Sequence, residues 1–493
     1  MISMSAATLA TGWTRAGTRC PNGTSDNAHE RHKVAGIVPL VLVATIAALP
    51  GNTVPGAAWA QAELDTAMPA HVSAATNDLA QLRTGNPADQ DQRIFLFHRT
   101  SGGLRHKVWT GTNATGAWSA WTWRNQPEVG GDAPLSSSLV ALGGMYVEPS
   151  TGIWTARFTA AYNFRLFSPG GDVSVGLPMW RQIPGAYSFV HLAPPANAAG
   201  VDFIPSTGIT WLDGSTQRQN LFGVAIQLDR DRHVIGHSLR ELWHDGSTWR
   251  YVDHDRPTGR FYLRVGPNSA IWTNALGYGN GYVFATADTA DLWALWYDTR
   301  SCASWCWFSL GQPDGGITDM RAPVALQYHV DGRRRIAVFV TAKAEDGYHL
   351  YSRYTDGPDW RPWTDYGSPP NLVRGKGFEL SNGVVWRDGS TLRINLFGTT
   401  DPVDRLNSGL PTHTGGHLVD FFWDGSVWSW GPLTVLPETR DWGPAGVHPV
   451  RLRVSGAAVV DAGPWQRISV FGEDELGTVW ERAWSGTWAW QRH

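Results

Sequence analysis

A string of the form Arg-x-x-[Leu/Val]-Phe recurs along this chain, and a unit repeated at intervals of 55 to 74 residues restricts the possible folds more than any other feature. It reads Arg93 to Phe97, Arg218 to Phe222, Arg335 to Phe339, Arg393 to Phe397 and Arg467 to Phe471, with degenerate copies ending at Phe158 and Phe284. The seven Phe positions lie 61, 64, 62, 55, 58 and 74 residues apart. A second half follows most copies, and matches poorly in the second and fourth: a Leu or Val, three further residues, an aromatic or apolar residue, then a Gly-containing turn and a Trp. Leu239 to Trp249 and Leu418 to Trp428 carry it almost identically, with Asp245-Gly246 and Asp424-Gly425 as the turns. In the last copy Val479 to Trp484 leads into Ser485-Gly486 and Trp488.

Asp-Gly and Ser-Gly flanked by alternating aromatic and β-branched residues are hairpin turns, because Gly supplies the positive φ that such turns need. Each unit then contains an inner strand such as Ala457 to Asp461, a strand ending at the repeated Phe, a strand before the turn and a strand carrying the Trp. Four antiparallel strands make one blade. A lone blade cannot bury both of its faces, so seven of them stacked around a channel form the expected architecture, an all-β seven-bladed β-propeller over residues 79–493. The 28 Trp, 55 Gly and 17% charged residues fit short strands joined by tight turns. The net charge of −3, with Lys and Arg scattered rather than clustered, excludes the electrostatic footprint of a nucleic-acid binder.

Residues 1–60 follow another pattern and read as a leader ending in a secretory signal peptide. Arg31, His32 and Lys33 precede an apolar run from Val34 to Leu49, Pro50-Gly51 ends that run, and Ala58-Trp59-Ala60 offers small residues for cleavage. The run is shorter than the roughly 20 residues that span a bilayer, so no membrane association is expected after cleavage; an uncleaved anchor is the alternative. Residues 61–78 are expected to form a short linker. Export points to a secreted or periplasmic location, where Cys302 and Cys306 are free to form a small-loop disulfide or to remain thiols.

The Arg-Ile-x-Val-Phe strand, Gly-His-Leu and the aromatic-aromatic-Trp-Asp-Gly-Ser-x-Trp string together resemble the repeat of bacterial seven-bladed propeller lectins of the PLL type and, more loosely, that of fucose-binding propeller lectins. The resemblance covers about residues 79–493 and is strongest in blades three, five, six and seven. It implies sugar binding in pockets between neighbouring blades, built from aromatic side chains and a few polar partners. The chemistry of the residues points the same way, since an aromatic ring fits the C–H face of a pyranose while Arg, Asp, Glu and His orient its hydroxyls. Several weak pockets on one ring multiply avidity.

Candidate sugar-binding residues are Glu241, Trp243, Trp249, Trp296, Asp420, Trp423, Trp428, Glu481, Trp484 and Trp488. For the Trp after each turn (Trp118, Trp180, Trp249, Trp305, Trp360, Trp428, Trp488) packing between blades is the leading expectation, with ligand contact as the alternative. The position two after the repeated Leu or Val varies among His106, Glu241, Ala294, Ser352, Asp420 and Glu481, as a binding position kept in some blades and lost in others would. The repeated Arg residues are expected to make ion pairs within their blades or to face a pocket. His233 with His237 and His413 with His417 have a spacing that could hold a metal, but no metal or other cofactor is expected. Were the chain instead a carbohydrate-active propeller enzyme, a glycoside hydrolase or polysaccharide lyase, Asp229, Asp231, His233, Asp404 and His413 would stand at the channel mouth. A protein-interaction scaffold is the third class. Glycans or glycoconjugates are the expected partners, and the sequence leaves the oligomeric state open.

Overall fold

The computed structural model describes residues 72–493 except for the segments 125–138, 193–200 and 402–415 and a number of shorter ones; residues 1–71 are not described. All described residues belong to one compact unit, Ala58–His493. Calls on the leader and signal peptide, and on Cys302, Asp229, Asp231, His233, Asp404 and His413, therefore lie outside the described residues.

Every regular element among the described residues is a strand, and the sheets are antiparallel. In chain order they comprise a five-stranded sheet over 79–124, a six-stranded sheet built mainly from 139–192 and a four-stranded sheet over 201–253. Sheets of five, five, four and four strands follow over 263–311, 319–365, 378–430 and 452–492. They are called the first to seventh sheets below; a separate two-stranded ribbon pairs Thr439–Asp441 with Val447–Pro449. Within the third, sixth and seventh sheets the spatial order of strands is their order in the chain, as expected for hairpin-linked blades. Val72–Ala74, in the stretch read as a linker, instead pairs with Leu139–Ala141 and gives the second sheet an extra edge.

The leading strands of the sheets touch in sequence. Leu79–Asn86 lies against Leu139–Val147, which lies against Val201–Asp213; the series continues through Ala270–Ala275, Val324–Val330, Phe378–Asp388 and Leu452–Ala462, which returns to Leu79–Asn86. Those of the third, sixth and seventh sheets shift register at Pro205/Thr207, Leu380/Asn382 and Val454/Gly456. The recurrence of one bulge at one place marks it as part of the repeat, where it bends the strand toward its neighbour.

The core lies between sheets. Phe97, Phe222, Phe284, Phe339, Phe397 and Phe471 are all fully buried. At five boundaries an indole of the following sheet meets the repeat Phe edge-on. Trp305 meets Phe222 with ring centroids 5.3 Å apart, Trp360 meets Phe284 at 5.8 Å, and Trp428 meets Phe339 at 5.4 Å. Trp488 meets Phe397 at 6.2 Å, and Trp118 of the first sheet meets Phe471 of the last at 5.8 Å. The edge of one ring against the negative face of another is the favoured aromatic geometry. The packing expected of the repeated Trp is thus present at each of these boundaries.

The turns follow the sequence pattern. Asp424 Oδ1 accepts the backbone N–H groups of Ser426 (2.8 Å) and Val427 (2.9 Å), which holds its carboxyl down at about 2, and Gly425 has φ 103°. A Cβ on Gly425 would also clash with Thr391 Cγ2. Gly425→Ala is accordingly expected to cost about 1 to 2 kcal/mol, measured by urea unfolding, because L residues resist this backbone conformation.

Candidate functional site

The variable polar position of the third strand lies opposite the repeat Phe in each register. Phe222 pairs with Glu241, Phe339 with Ser352, Phe397 with Asp420 and Phe471 with Glu481. A polar group is therefore carried into each apolar boundary, where it needs partners of its own. The sequence supplies them by a rule that sequence reading missed.

In the third sheet the Trp211 indole N–H donates to Asn220 Oδ1 (2.9 Å), and Asn220 Nδ2 donates to Glu241 Oε1. The indole is only a donor, so it fixes which way the Asn amide points. The other Glu241 oxygen meets His254 Nε2 at 2.8 Å. His254 follows Trp249 by five residues and bends back over the boundary, where its carbonyl accepts the Trp307 indole N–H (2.9 Å) and its ring lies 5.8 Å from Trp305. Glu241 is left 2% exposed.

The seventh sheet repeats the device. His493 follows Trp488 by five residues; its Nε2 meets Glu481 Oε2 at 3.1 Å, its carbonyl accepts the Trp121 indole, and its ring lies 4.9 Å from Trp118. Trp118 also donates to Glu481 Oε2 (2.9 Å), while Arg467 Nη2 (2.6 Å) and Ser469 Oγ donate to Oε1. In the fifth sheet the acid is replaced by Ser352, whose Oγ lies 3.0 Å from Tyr366 Oη. Tyr366 gives its carbonyl to the Trp430 indole, and its ring lies 5.8 Å from Trp428. One backbone bond identifies these three capping residues as equivalent: each donates its N–H to the carbonyl two residues before the polar position, at Leu239, Leu350 and Val479.

The sixth sheet begins the same way and ends differently. Trp386 donates to Asn395 Oδ1 (2.9 Å) and Asn395 Nδ2 to Asp420 Oδ1 (3.0 Å). The residue whose N–H reaches Leu418 is Thr434, and its hydroxyl bonds instead to the Pro432 carbonyl (3.2 Å). No ring covers Asp420 among the described residues. Across the boundary stand Trp488 and Trp490, with the Arg482 guanidinium 4.9 Å and 5.7 Å from their ring centroids.

The two acids titrate in opposite directions. Burial alone would push the Glu481 carboxyl up, but the hydrogen bond from His493, the charge of Arg467 and the Ser469 hydroxyl outweigh it and hold it at about 2. Burial raises the Asp420 carboxyl to about 6, and the Asn395 bond and the Arg482 charge only partly offset that rise.

The other expected residues fall at or near the rim of the third-to-fourth-strand turns. Trp243 has Arg250 over its ring at 5.5 Å, Trp423 lies 5.7 Å from Trp428, and Trp484 lies 5.2 Å from Trp386 across the sixth boundary. Trp296 is half-buried on the third strand of its sheet, and the Trp249 side chain lies outside the described residues. Of the repeated Arg residues, Arg467 pairs with Glu481, Arg393 with Asp388 (3.1 Å) and Arg335 with Asp356 (3.8 Å), each inside its own sheet. Near the opposite strand ends a charged cluster that sequence reading missed joins the fourth to sixth sheets. Arg264 meets Asp319 at 2.7 Å, Arg321 clamps Asp401 through both guanidinium nitrogens, and the Tyr348 hydroxyl donates to Asp319 (3.0 Å). Burial raises the carboxyl of nearby Glu379. Among the described residues no group of three or more His, Cys, Asp or Glu is placed to hold a metal, and no helix is long and apolar enough to cross a membrane.

The signs of the two shifts lead to two expectations. Glu481 sits at about 2 against an ordinary 4.5, so it stabilises the fold above pH 4.5 and that contribution is lost as the pH falls toward 2. Glu481→Gln is expected to cost about 3 kcal/mol at pH 7 and to flatten the acid limb of a urea-unfolding series between those values. Asp420 sits at about 6 against an ordinary 3.8, so its contribution is full below pH 3.8 and is lost as the pH rises through 6. Asp420→Asn is expected to be the more stable protein at pH 7 to 8, by about 1 to 2 kcal/mol in the same assay.

No family model matches this chain, and no curated protein does. Among solved structures, it is similar to the BP39L lectin from Burkholderia pseudomallei, with 13% identity over 87% of this chain and 98% of the lectin at a TM-score of 0.48. It is similar also to a fucose-specific lectin from Aleuria aurantia, with 12% identity over 73% and 95% at a TM-score of 0.36. The intramolecular trans-sialidase from Ruminococcus gnavus aligns at 11% identity over 82% of this chain and 92% of the enzyme, with a TM-score of 0.31.

Proposed function

We propose that this chain is a secreted carbohydrate-binding protein, a lectin of the bacterial propeller type that its repeat resembles, with sugar pockets between neighbouring blades of a seven-bladed ring. The ring is supported by the cycle of leading strands and by the aromatic contact between Trp118 of the first sheet and Phe471 of the last. The observation that carries the functional reading is a half-buried indole beside a polar third-strand position, an arrangement repeated from boundary to boundary and left uncapped, among the described residues, at Asp420. An indole face and a hydroxyl-orienting polar group are the two parts a pyranose site needs. Secretion is supported by the basic-apolar-small order of residues 31–60.

A carbohydrate-active enzyme is the second reading, favoured by the Arg264, Asp319, Arg321, Asp401 and Tyr348 cluster. These groups already neutralise one another in pairs, which suits a structural clasp better than a poised acid and base. A glycan-array screen of the full chain, with each bound glycan incubated and analysed by mass spectrometry, separates the readings. Binding without shortened or unsaturated products is expected; turnover of a bound glycan would make the chain an enzyme, and silence on the whole array would overturn both.

A further inference from the structure

The boundaries are not equivalent, and the difference lies in one residue. At the third-to-fourth and seventh-to-first boundaries the acid is sealed by the chain's own imidazole, and at the fifth-to-sixth the Ser352 hydroxyl is covered by Tyr366. At the fourth-to-fifth the same position is Ala294, with no polar group to offer. Among the described residues, only the sixth-to-seventh boundary combines a carboxylate with no covering ring.

Resting on the carbohydrate-binding reading, we infer that the boundary between the sixth and seventh sheets, beside Asp420, is where this chain takes its sugar, while His254, Tyr366 and His493 occupy the corresponding positions at the other boundaries described. Asp420 accepts one side-chain hydrogen bond among the described residues, so its carboxylate has lone pairs to spare for two neighbouring hydroxyls. Asn395 cannot turn away, because the Trp386 indole holds its oxygen. Arg482 supplies donors beside the Trp488 and Trp490 rings. The capping rings at the other boundaries make the contacts a sugar would make: a hydrogen bond to the polar group and a ring placed beside the indole of the next sheet. The ligand is a neutral pyranose with adjacent hydroxyls, since a buried carboxylate acceptor repels a uronic or sialic acid.

The acid that is expensive to keep ionised is also the one left open, a pattern typical of functional positions. A group that only supported the fold would gain by acquiring the ring its counterparts have, and the chain has Thr434 there instead.

The test is calorimetric titration of the full chain with methyl pyranosides of the common neutral hexoses, deoxyhexoses and N-acetylhexosamines, and with methyl glucuronide as the acidic probe. Two variants are compared with the parent: Asp420→Asn, which removes the carboxylate without loss of stability, and Thr434→His, which installs the missing cap. Both are expected to weaken binding of the neutral glycoside at least about tenfold, the value of one charge-assisted hydrogen bond, with unchanged circular dichroism and melting temperatures no lower than the parent's. Parent-like affinity and stoichiometry in both variants would overturn the assignment and leave the lectin reading intact, as would tighter binding of the glucuronide. Failure of the parent to bind any of these glycosides would overturn the sugar reading and, with it, this inference.

Discussion

The contact between a buried phenylalanine of one sheet and the edge of an indole from the next is what the rest of this structure depends on. A twisted four-stranded sheet has two apolar faces and no means of hiding either one alone. The Phe supplies the buried face, the Trp reaches it from the neighbour, and the pair recurs from Phe222 with Trp305 to Phe471 with Trp118. The last of these joins sheets 353 positions apart in the chain (471 − 118), so it carries the closure that local hairpins cannot.

That contact also sets the terms for the polar position beside it. Because antiparallel register places position 241, 352, 420 or 481 opposite the Phe, any polar side chain there is drawn out of water. Two solutions are visible. Glu241 and Glu481 are enclosed by an imidazole and by amide, hydroxyl or guanidinium donors, and each of their oxygens has a partner. Asp420 keeps the donor from its own sheet and, among the described residues, has no cap. The first arrangement favours the folded state, whereas the second holds a charge at a cost, and one molecule containing both shows that the difference is not a requirement of the fold.

Much of this was legible in the residues. The repeated Phe and Trp positions, the Asp424-Gly425 turn, the polar variation at 241, 420 and 481 and the Arg at the strand starts each follow from a local rule of spacing. The Trp211 to Asn220 and Trp386 to Asn395 pairs were legible in principle, since both are nine residues apart across a hairpin whose register fixes their meeting. The five-residue interval from Trp249 to His254 and from Trp488 to His493 was equally available, but an interval gives no sign that the ring folds back onto an acid in the preceding strand.

By itself, the sequence determined the strand pattern, the turn positions and the repetition, because hydrogen-bond register and glycine conformation act over a few residues. Only the tertiary structure decided which acids are closed and which, among the described residues, has no cap. That distinction depends on a ring reaching across a boundary between two sheets, with the covering indole supplied from 50 or more residues away. Burial, and with it the opposite shifts of Asp420 and Glu481, is a property of that enclosure and cannot be read from either residue type.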